Sequence, residues 1–126
     1  MRKMYQTKNN NCFATCVCCL LELNEIDLEK FPPSNIDNWS IEFRQYLRNN
    51  YDYDLLFVKH NSELNDVLTL PDSLCIITGD SLYTKNSYHS VIGRKGKIIF
   101  DPKEESKGLT GNPKDWEYCF LIKIFR

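Results

Sequence analysis

The order of elements along the chain predicts an α+β fold. Apolar residues near the N-terminus recur at helical spacing, as in Cys12, Cys16 and Cys19, whereas later apolar runs are short, rich in β-branched residues and bounded by glycine. Helices that come first and are followed by strands are typical of α+β proteins. At 126 residues the chain has the length of one domain, so we expect a single domain over residues 1–126.

The N-terminal part of the chain predicts an arm followed by a buried helix. Residues 1–11 have no apolar periodicity and are expected to be extended. Asn10 and Asn11 are favourable N-cap residues, and the run after them contains neither glycine nor proline. A helix over about residues 12–23 is therefore predicted, and its apolar surface on nearly every side indicates that it is central.

The remaining elements follow from the same patterns. A short turn over residues 25–30 can begin at Asn24, and a second helix can begin at Asp37 or Ser40 and reach about residue 49. Residues 62–68 are expected to form one or two further helical turns. Five apolar runs are predicted to be strands: residues 55–58, 74–78, 88–92, 97–100 and 117–125. The sequence GRKG at 93–96 is typical of a hairpin turn, so the third and fourth strands should be antiparallel neighbours.

Composition and charge exclude several classes of protein. Apolar residues make up 42% and charged residues 26% of the chain, which are proportions of a globular protein rather than a disordered one. Sixteen basic against seventeen acidic residues give a net charge of −1, which favours neither nucleic acid nor an anionic membrane as a partner. The sequence shows no apolar signal segment and no run long enough to span a bilayer. We therefore expect a cytoplasmic protein with no nucleic-acid or membrane partner.

Six cysteines raise the question of disulfides or zinc, and their spacing argues against both. Four of them lie within eight residues on one predicted helix, while Cys75 and Cys119 lie singly in strand-like runs. Cysteines on one short helix rarely have the geometry to bridge each other, and no export signal points to an oxidising compartment. No partner pair of the CxxC or HxxxH type appears downstream to complete a zinc site. We expect no disulfide, no metal and no cofactor.

Cys12 is the candidate nucleophile. It stands at the start of the predicted helix, where the helix dipole and the unpaired backbone N–H groups favour the thiolate, the form that attacks carbonyl carbon. Gln6 precedes it by six residues, and its amide could serve beside the Cys12 N–H as the second donor of an oxyanion hole. Because cysteine is among the most buried residue types, simple packing is the alternative for this position. Cys16 and Cys19, which share the helical stripe, are assigned to the core.

A thiolate nucleophile needs a base and a group that orients the base. Of the two histidines, His60 stands among polar residues at a strand end, which is typical of an exposed loop residue. His89 opens an apolar strand twelve residues before Asp101, and the predicted hairpin places both at similar distances from its bend. A hydrogen bond between them is then possible. The alternatives are a buried structural histidine and an aspartate that only opens a turn before Pro102.

The ordered set Gln6, Cys12, His89 and Asp101 resembles the papain-like cysteine peptidase superfamily, in which a glutamine stands six residues before the nucleophile. The local sequences NCFATC, YHSVIG and FDP are similar to those of its compact bacterial and phage branch, such as the bacteriocin-leader-processing peptidases. The resemblance implies a papain-like fold, with a central N-terminal helix packed on a small antiparallel β-sheet and a cleft between them. Phe13 departs from the pattern, because those peptidases usually have glycine after the nucleophile.

The predicted function is a cysteine hydrolase that cleaves an amide, isopeptide or thioester bond through an acyl-enzyme. The expected partner is a protein or peptide substrate, or a small amide. Two alternatives stay open. One is an acyltransferase or deamidase, similar to transglutaminases, that uses the same triad. The other is a non-catalytic binding or inhibitor module that retains the fold, because a fold does not determine a function.

Overall fold

The computed structural model, which describes residues 1–59 and 70–125, has an α+β architecture in which the helices pack on an open antiparallel sheet. The helices are α1 (Cys12–Leu21), α2 (Glu25–Leu28) and α3 (Trp39–Tyr51), with a 3-10 turn at Pro113–Asp115. The strands are β1 (Tyr53–Lys59), β2 (Leu74–Ser81), β3 (Tyr88–Arg94), β4 (Lys97–Phe100), β5 (Leu109–Thr110) and β6 (Glu117–Lys123). His60 and the helical turns predicted for residues 62–68 lie outside the described residues.

The described strands form one six-stranded sheet in the order β1-β6-β2-β3-β4, with β5 paired to the end of β2. Every pairing is antiparallel. The five predicted strands are all present, and β1 is longer than predicted because it pairs with β6 along its whole length. β6 ends at Lys123, two residues before its predicted end. β5 was not predicted, because two residues are too few for an alternating pattern to be recognised.

The hairpin between β3 and β4 is the part of the sheet that positions the candidate site. Its turn residues Lys95 and Gly96 both have positive φ, 49° and 79°, which is the conformation of the two-residue hairpin turn. The strands pair Ile92 with Phe100, so His89 and Asp101 lie at the same end of the hairpin. The predicted antiparallel pairing of these strands is confirmed.

Gly93 lies at an irregularity in this hairpin, where the register of β3 against β4 shifts. A Cβ atom at this position would lie 2.6 Å from the Lys97 carbonyl oxygen and would also clash with a terminal carbon of Ile77. The Lys97 backbone cannot move aside as a flexible side chain can, so only glycine fits at position 93.

Helix α1 begins at Cys12, as predicted, and ends two residues earlier than predicted. Its end is set by Glu22, which adopts the left-handed conformation at φ 58° and donates its N–H to the carbonyls of Cys18 and Cys19. Cys16 and Cys19 are fully buried, which confirms their assignment to the core. In the described part of the chain, no helix is both long and apolar enough to cross a membrane.

The caps of the other two helices show one correct prediction and one error. Asn24 caps α2 in a reciprocal capping box with Asp27. Helix α3 was expected to begin at Asp37 or Ser40, but Asn38 precedes its first residue in the left-handed conformation at φ 58°, without a side-chain cap. Asparagine tolerates this conformation better than most residues.

An aromatic cluster joins α1 to α3 and anchors the start of α1. Phe13, the residue after the candidate nucleophile, packs edge-on against Trp39 and Phe43 of α3, with ring centroids 5.3 and 5.4 Å away. Phe31 packs against the same Phe43 ring at 5.2 Å. The opposite face of the sheet carries a second apolar cluster, whose buried members are Leu70, Cys75, Ile77, Val91, Tyr118 and Phe120.

Replacement of Phe43 by alanine should destabilise the fold by about 3–5 kcal/mol, because a fully buried ring with three aromatic neighbours is lost and leaves a cavity. Ile41→Ala on the same helix is the matched control, since Ile41 is 61% exposed and its loss should change the free energy of unfolding by about 0.5 kcal/mol or less. Urea denaturation of both variants measures the difference. Equal destabilisation would contradict the assignment of Phe43 to the core.

Candidate active site

Cys12 occupies the first turn of α1, next to strand β3. Its side chain is partly exposed, whereas the three other cysteines of α1 are buried. The His89 ring and Ser90 lie close enough to the thiol to lower its pKa. The Ser90 hydroxyl is in turn 2.8 Å from the Thr78 hydroxyl of the neighbouring strand β2. The helix start and the middle of the sheet therefore meet at this sulfur.

His89 and Asp101 form a buried pair behind the thiol. The Nε2 atom of His89 is 2.7 Å from Oδ1 of Asp101, and the two residues are 4% and 5% exposed. Because Nε2 faces the carboxylate, Nδ1 is the ring nitrogen left for the thiol. The predicted hydrogen bond between the two residues is present, while their catalytic roles stay a prediction.

Asp101 accepts four hydrogen bonds, two at each carboxylate oxygen. Oδ1 accepts from His89 and from the Lys103 N–H at 2.9 Å, and Oδ2 accepts from the Gly108 N–H at 2.9 Å and from the Tyr83 hydroxyl at 2.8 Å. Burial raises the pKa of Asp101, but these donors outweigh burial and leave the pKa below its ordinary value. The group is therefore a carboxylate at neutral pH.

The thiol and the imidazole shift each other toward the charged forms. Burial by itself lowers the pKa of His89, but the hydrogen bonds and charges of Asp101 and Cys12 raise it to about 9. Burial raises the pKa of Cys12, and the hydrogen bond to His89 with its positive charge, together with contacts to Ser90, brings the net pKa below the ordinary thiol value. Both shifts favour the thiolate–imidazolium form of the pair.

The other five cysteines behave as apolar core residues. Burial raises the pKa of Cys18 to about 12 and of Cys75 to about 11, and it also raises the pKa values of Cys16, Cys19 and Cys119. All six cysteines of the chain are free thiols. Only Cys12 combines partial exposure with a lowered pKa, which is the combination that a reactive cysteine needs.

Gln6 lies beside the Asp-Pro element, where its backbone N–H donates to the Pro102 carbonyl at 2.8 Å. Its side-chain Nε2 donates to the Lys8 carbonyl at 3.0 Å, and its Oε1 is buried without a hydrogen-bond partner. Asn11, at the N-cap position, binds the same arm: Oδ1 accepts from the Lys8 N–H, and Nδ2 donates to the Thr7 hydroxyl. Asn11 therefore shapes the approach to Cys12, and the oxyanion role of Gln6 stays a prediction.

A cleft of about 530 Å³ opens beside Cys12. One wall is apolar and is formed by Phe13, Trp39 and Phe57. The opposite wall comes from the loop before β3 and from β3 itself, with Thr84, Ser87, Tyr88 and Ser90. A second hollow of about 670 Å³ adjoins it, because Thr78, Tyr88 and Glu117 line both. The thiol therefore borders a cleft that shares part of its lining with a second hollow.

Sequence reasoning did not identify Ser90 or Tyr83 as members of this site. Ser90 follows His89 in an apolar strand, and its contact with Cys12 depends on how α1 docks on β3. Tyr83 lies in the polar loop between β2 and β3, where nothing in the local pattern indicates a hydrogen bond to Asp101, eighteen residues away. Both contacts arise from tertiary packing.

No cluster of three or more histidine, cysteine, aspartate or glutamate side chains able to hold a metal ion occurs among residues 1–59 and 70–125. Comparisons of the chain with protein-family models, with curated proteins and with solved structures found no match. The interpretation of the site therefore depends on its geometry and on the chemistry of its residues.

Iodoacetamide at about pH 6 should alkylate Cys12 selectively, because the thiolate is the reactive form and the other thiols are buried with raised pKa values. Four of the six cysteines lie in one tryptic peptide, residues 9–30, so fragmentation of that peptide by tandem mass spectrometry identifies the labelled residue. His89→Ala should slow the labelling of Cys12 by about tenfold, since the imidazolium that stabilises the thiolate is lost. Uniform labelling of all six cysteines, or none, would contradict the lowered pKa of Cys12.

Proposed function

We propose that this protein is a papain-like cysteine hydrolase that cleaves an amide, isopeptide or thioester bond. The observation that carries the proposal is the buried pair of the His89 ring and the Asp101 carboxylate, hydrogen-bonded at 2.7 Å, near the partly exposed Cys12 thiol. A nucleophile, a base and a group that orients the base are the parts that acyl transfer through a thiol requires. The cytoplasm stays the proposed location.

In the acylation step the Cys12 thiolate attacks the carbonyl carbon of the substrate, and a carbon–sulfur bond forms while the carbonyl oxygen becomes an oxyanion. The imidazolium of His89 then donates its proton to the leaving amine or thiol, and the scissile bond breaks. His89 is neutral at this point. Asp101 stabilises the imidazolium before the step and keeps the ring oriented after it.

In the deacylation step neutral His89 takes a proton from water, and the resulting hydroxide attacks the thioester. The carbon–sulfur bond breaks, the acid product leaves and the Cys12 thiolate is restored beside the imidazolium. If an amine enters instead of water, the same intermediate yields an acyl-transfer product. Partition of the product between acid and amide in the presence of an added amine therefore distinguishes hydrolysis from transfer.

The oxyanion needs donors near the start of α1. The first backbone N–H groups of a helix have no partner within the helix, so the N–H of Cys12 is available. The Gln6 amide is the proposed second donor. Its Nε2 makes one hydrogen bond, to the Lys8 carbonyl in the exposed arm, and its Oε1 makes none. If Nε2 gave up this hydrogen bond and donated to the oxyanion instead, the oxyanion hole would have two donors.

The shape of the groove supports a peptide or protein segment as the substrate. The cleft beside Cys12 and the adjoining hollow share Thr78, Tyr88 and Glu117, which favours a ligand that extends over both. The apolar wall formed by Phe13, Trp39 and Phe57 offers contact for an apolar side chain. A small amide would occupy only the cleft.

Acylation by p-nitrophenyl acetate tests the proposal without knowledge of the natural substrate. The expected result is release of p-nitrophenolate, a transient mass increase of one acetyl group on Cys12, and slow turnover. Cys12→Ala should lower the rate by at least about a thousandfold, because the nucleophile is removed.

Cys16→Ala is the matched control, since Cys16 lies one turn further along the same helix but is fully buried. It should keep both the acetylation and the turnover. Acetylation that is equal in the wild type and in Cys12→Ala, or an acetyl group found on another residue alone, would reject Cys12 as the nucleophile.

A further inference from the structure

We propose that Tyr83 is a positioning residue of the catalytic machinery: its hydroxyl holds the Asp101 carboxylate in register with His89, and its ring covers the pair. The inference rests on the proposed function, and it assigns a role to a loop residue outside the set Cys12, His89 and Asp101. Tyr83 lies in the connection between β2 and β3, between Ser81 and Ser87.

The direction of the Tyr83 hydrogen bond is determined by its second partner. The backbone N–H of Lys107 lies 2.6 Å from the Tyr83 hydroxyl oxygen and can only donate. The oxygen therefore accepts from Lys107, and the single hydroxyl proton remains for Oδ2 of Asp101 at 2.8 Å. Tyr83 thus acts as a donor to the carboxylate, which is the role that stabilises its charged form.

The hydroxyl contributes to fixing the rotation of the carboxylate. Oδ2 accepts from Tyr83 and from the Gly108 N–H, while Oδ1 accepts from His89 and from the Lys103 N–H. With two donors at each oxygen, a rotation of the group about its Cβ–Cγ bond would break several hydrogen bonds at once. Without the Tyr83 hydroxyl, Oδ2 would keep only the Gly108 N–H as a protein donor. The carboxylate could then rotate more freely, which would loosen Oδ1, the oxygen bonded to His89.

The ring of Tyr83 also covers the His89 side chain. The two rings meet edge to face at an angle of 72°, with centroids 5.0 Å apart. The ammonium groups of Lys103 and Lys107 lie 4.6 and 5.5 Å from the centre of the Tyr83 ring, where cation–π attraction favours them. A hydrogen bond shielded from water in this way is stronger than an exposed one.

The loop that carries Tyr83 is itself fixed. The Ser81 hydroxyl oxygen accepts from the N–H groups of Tyr83 and Thr84 at 3.0 and 3.1 Å, and the Ser81 N–H donates to the Ser87 carbonyl at 2.9 Å. Thr84 and Ser87 line the cleft beside Cys12. The same short loop therefore forms a wall of the cleft and orients the carboxylate, which would link the cleft wall to the His89–Asp101 pair.

Tyr83→Phe tests the inference, because it keeps the ring over His89 and removes only the hydroxyl donor. The measurement is the rate of Cys12 alkylation by iodoacetamide as a function of pH, which does not require turnover. Without the hydroxyl donor, the Asp101 carboxylate is held less firmly in position and stabilises the imidazolium less. The pKa of His89 should therefore fall, and the pKa of the Cys12 thiol should rise. Labelling at about pH 6 should therefore fall by about threefold to tenfold.

Tyr53→Phe is the matched control, since Tyr53 also has a lysine over its ring, with Lys123 Nζ 5.0 Å from the ring centroid, but lies on β1. Its alkylation profile should equal that of the wild type. If Tyr83→Phe lowers the melting temperature but leaves the alkylation profile unchanged, Tyr83 is only a structural residue and the inference is wrong.

The outcome is separable from that of the proposed function. If p-nitrophenyl acetate is not turned over but the Tyr83→Phe profile shifts, the positioning role stands and the hydrolase proposal fails. If p-nitrophenyl acetate is turned over and the profile does not shift, only the positioning role is rejected.

If Tyr83→Phe does not fold, NMR of the wild type decides. A slowly exchanging Tyr83 hydroxyl proton close to the His89 ring protons supports the inference, and a rapidly exchanging one overturns it.

Discussion

The hydrogen bond between Nε2 of His89 and Oδ1 of Asp101, 2.7 Å long and almost fully buried, is the interaction on which the candidate site depends. It determines which ring nitrogen faces the thiol and which protonation state the imidazole prefers. The β3–β4 hairpin places His89 and Asp101 side by side, because His89 lies in β3 and Asp101 directly follows β4. A buried histidine without this partner would be neutral, and the thiol beside it would keep its proton.

The second constraint is the docking of the start of α1 on that hairpin. Phe13 packs into the aromatic cluster of α3, which fixes the helix one residue after the nucleophile. The N-terminal arm returns along α1 and bonds to Pro102, next to Asp101. Segments far apart in the chain thus meet at one sulfur, and a change in any of them would move the thiol relative to the ring.

Much of this arrangement could be predicted from local sequence patterns. The glycine- and proline-free run after Asn11 indicates a helix that begins at Cys12, and the GRKG sequence at 93–96 indicates the hairpin that joins His89 to Asp101. The contacts that depend on distant segments could not be predicted in this way. Tyr83 reaches Asp101 from a polar loop without periodicity. The start of α3 was misplaced because Asn38 uses its left-handed backbone instead of a capping side chain, and backbone conformation is not visible in residue type alone.

The most direct test of the account is a nitrogen-15 NMR titration of the His89 ring in the wild type and in Cys12→Ala. The account predicts that both ring nitrogens carry protons at neutral pH and that the ring loses its proton only near pH 9. In Cys12→Ala the pKa of His89 should be lower, because the thiolate that stabilises the imidazolium is gone. A neutral His89 ring at pH 7 in the wild type, with the same pKa in both proteins, would contradict a thiolate–imidazolium pair and with it the proposed chemistry.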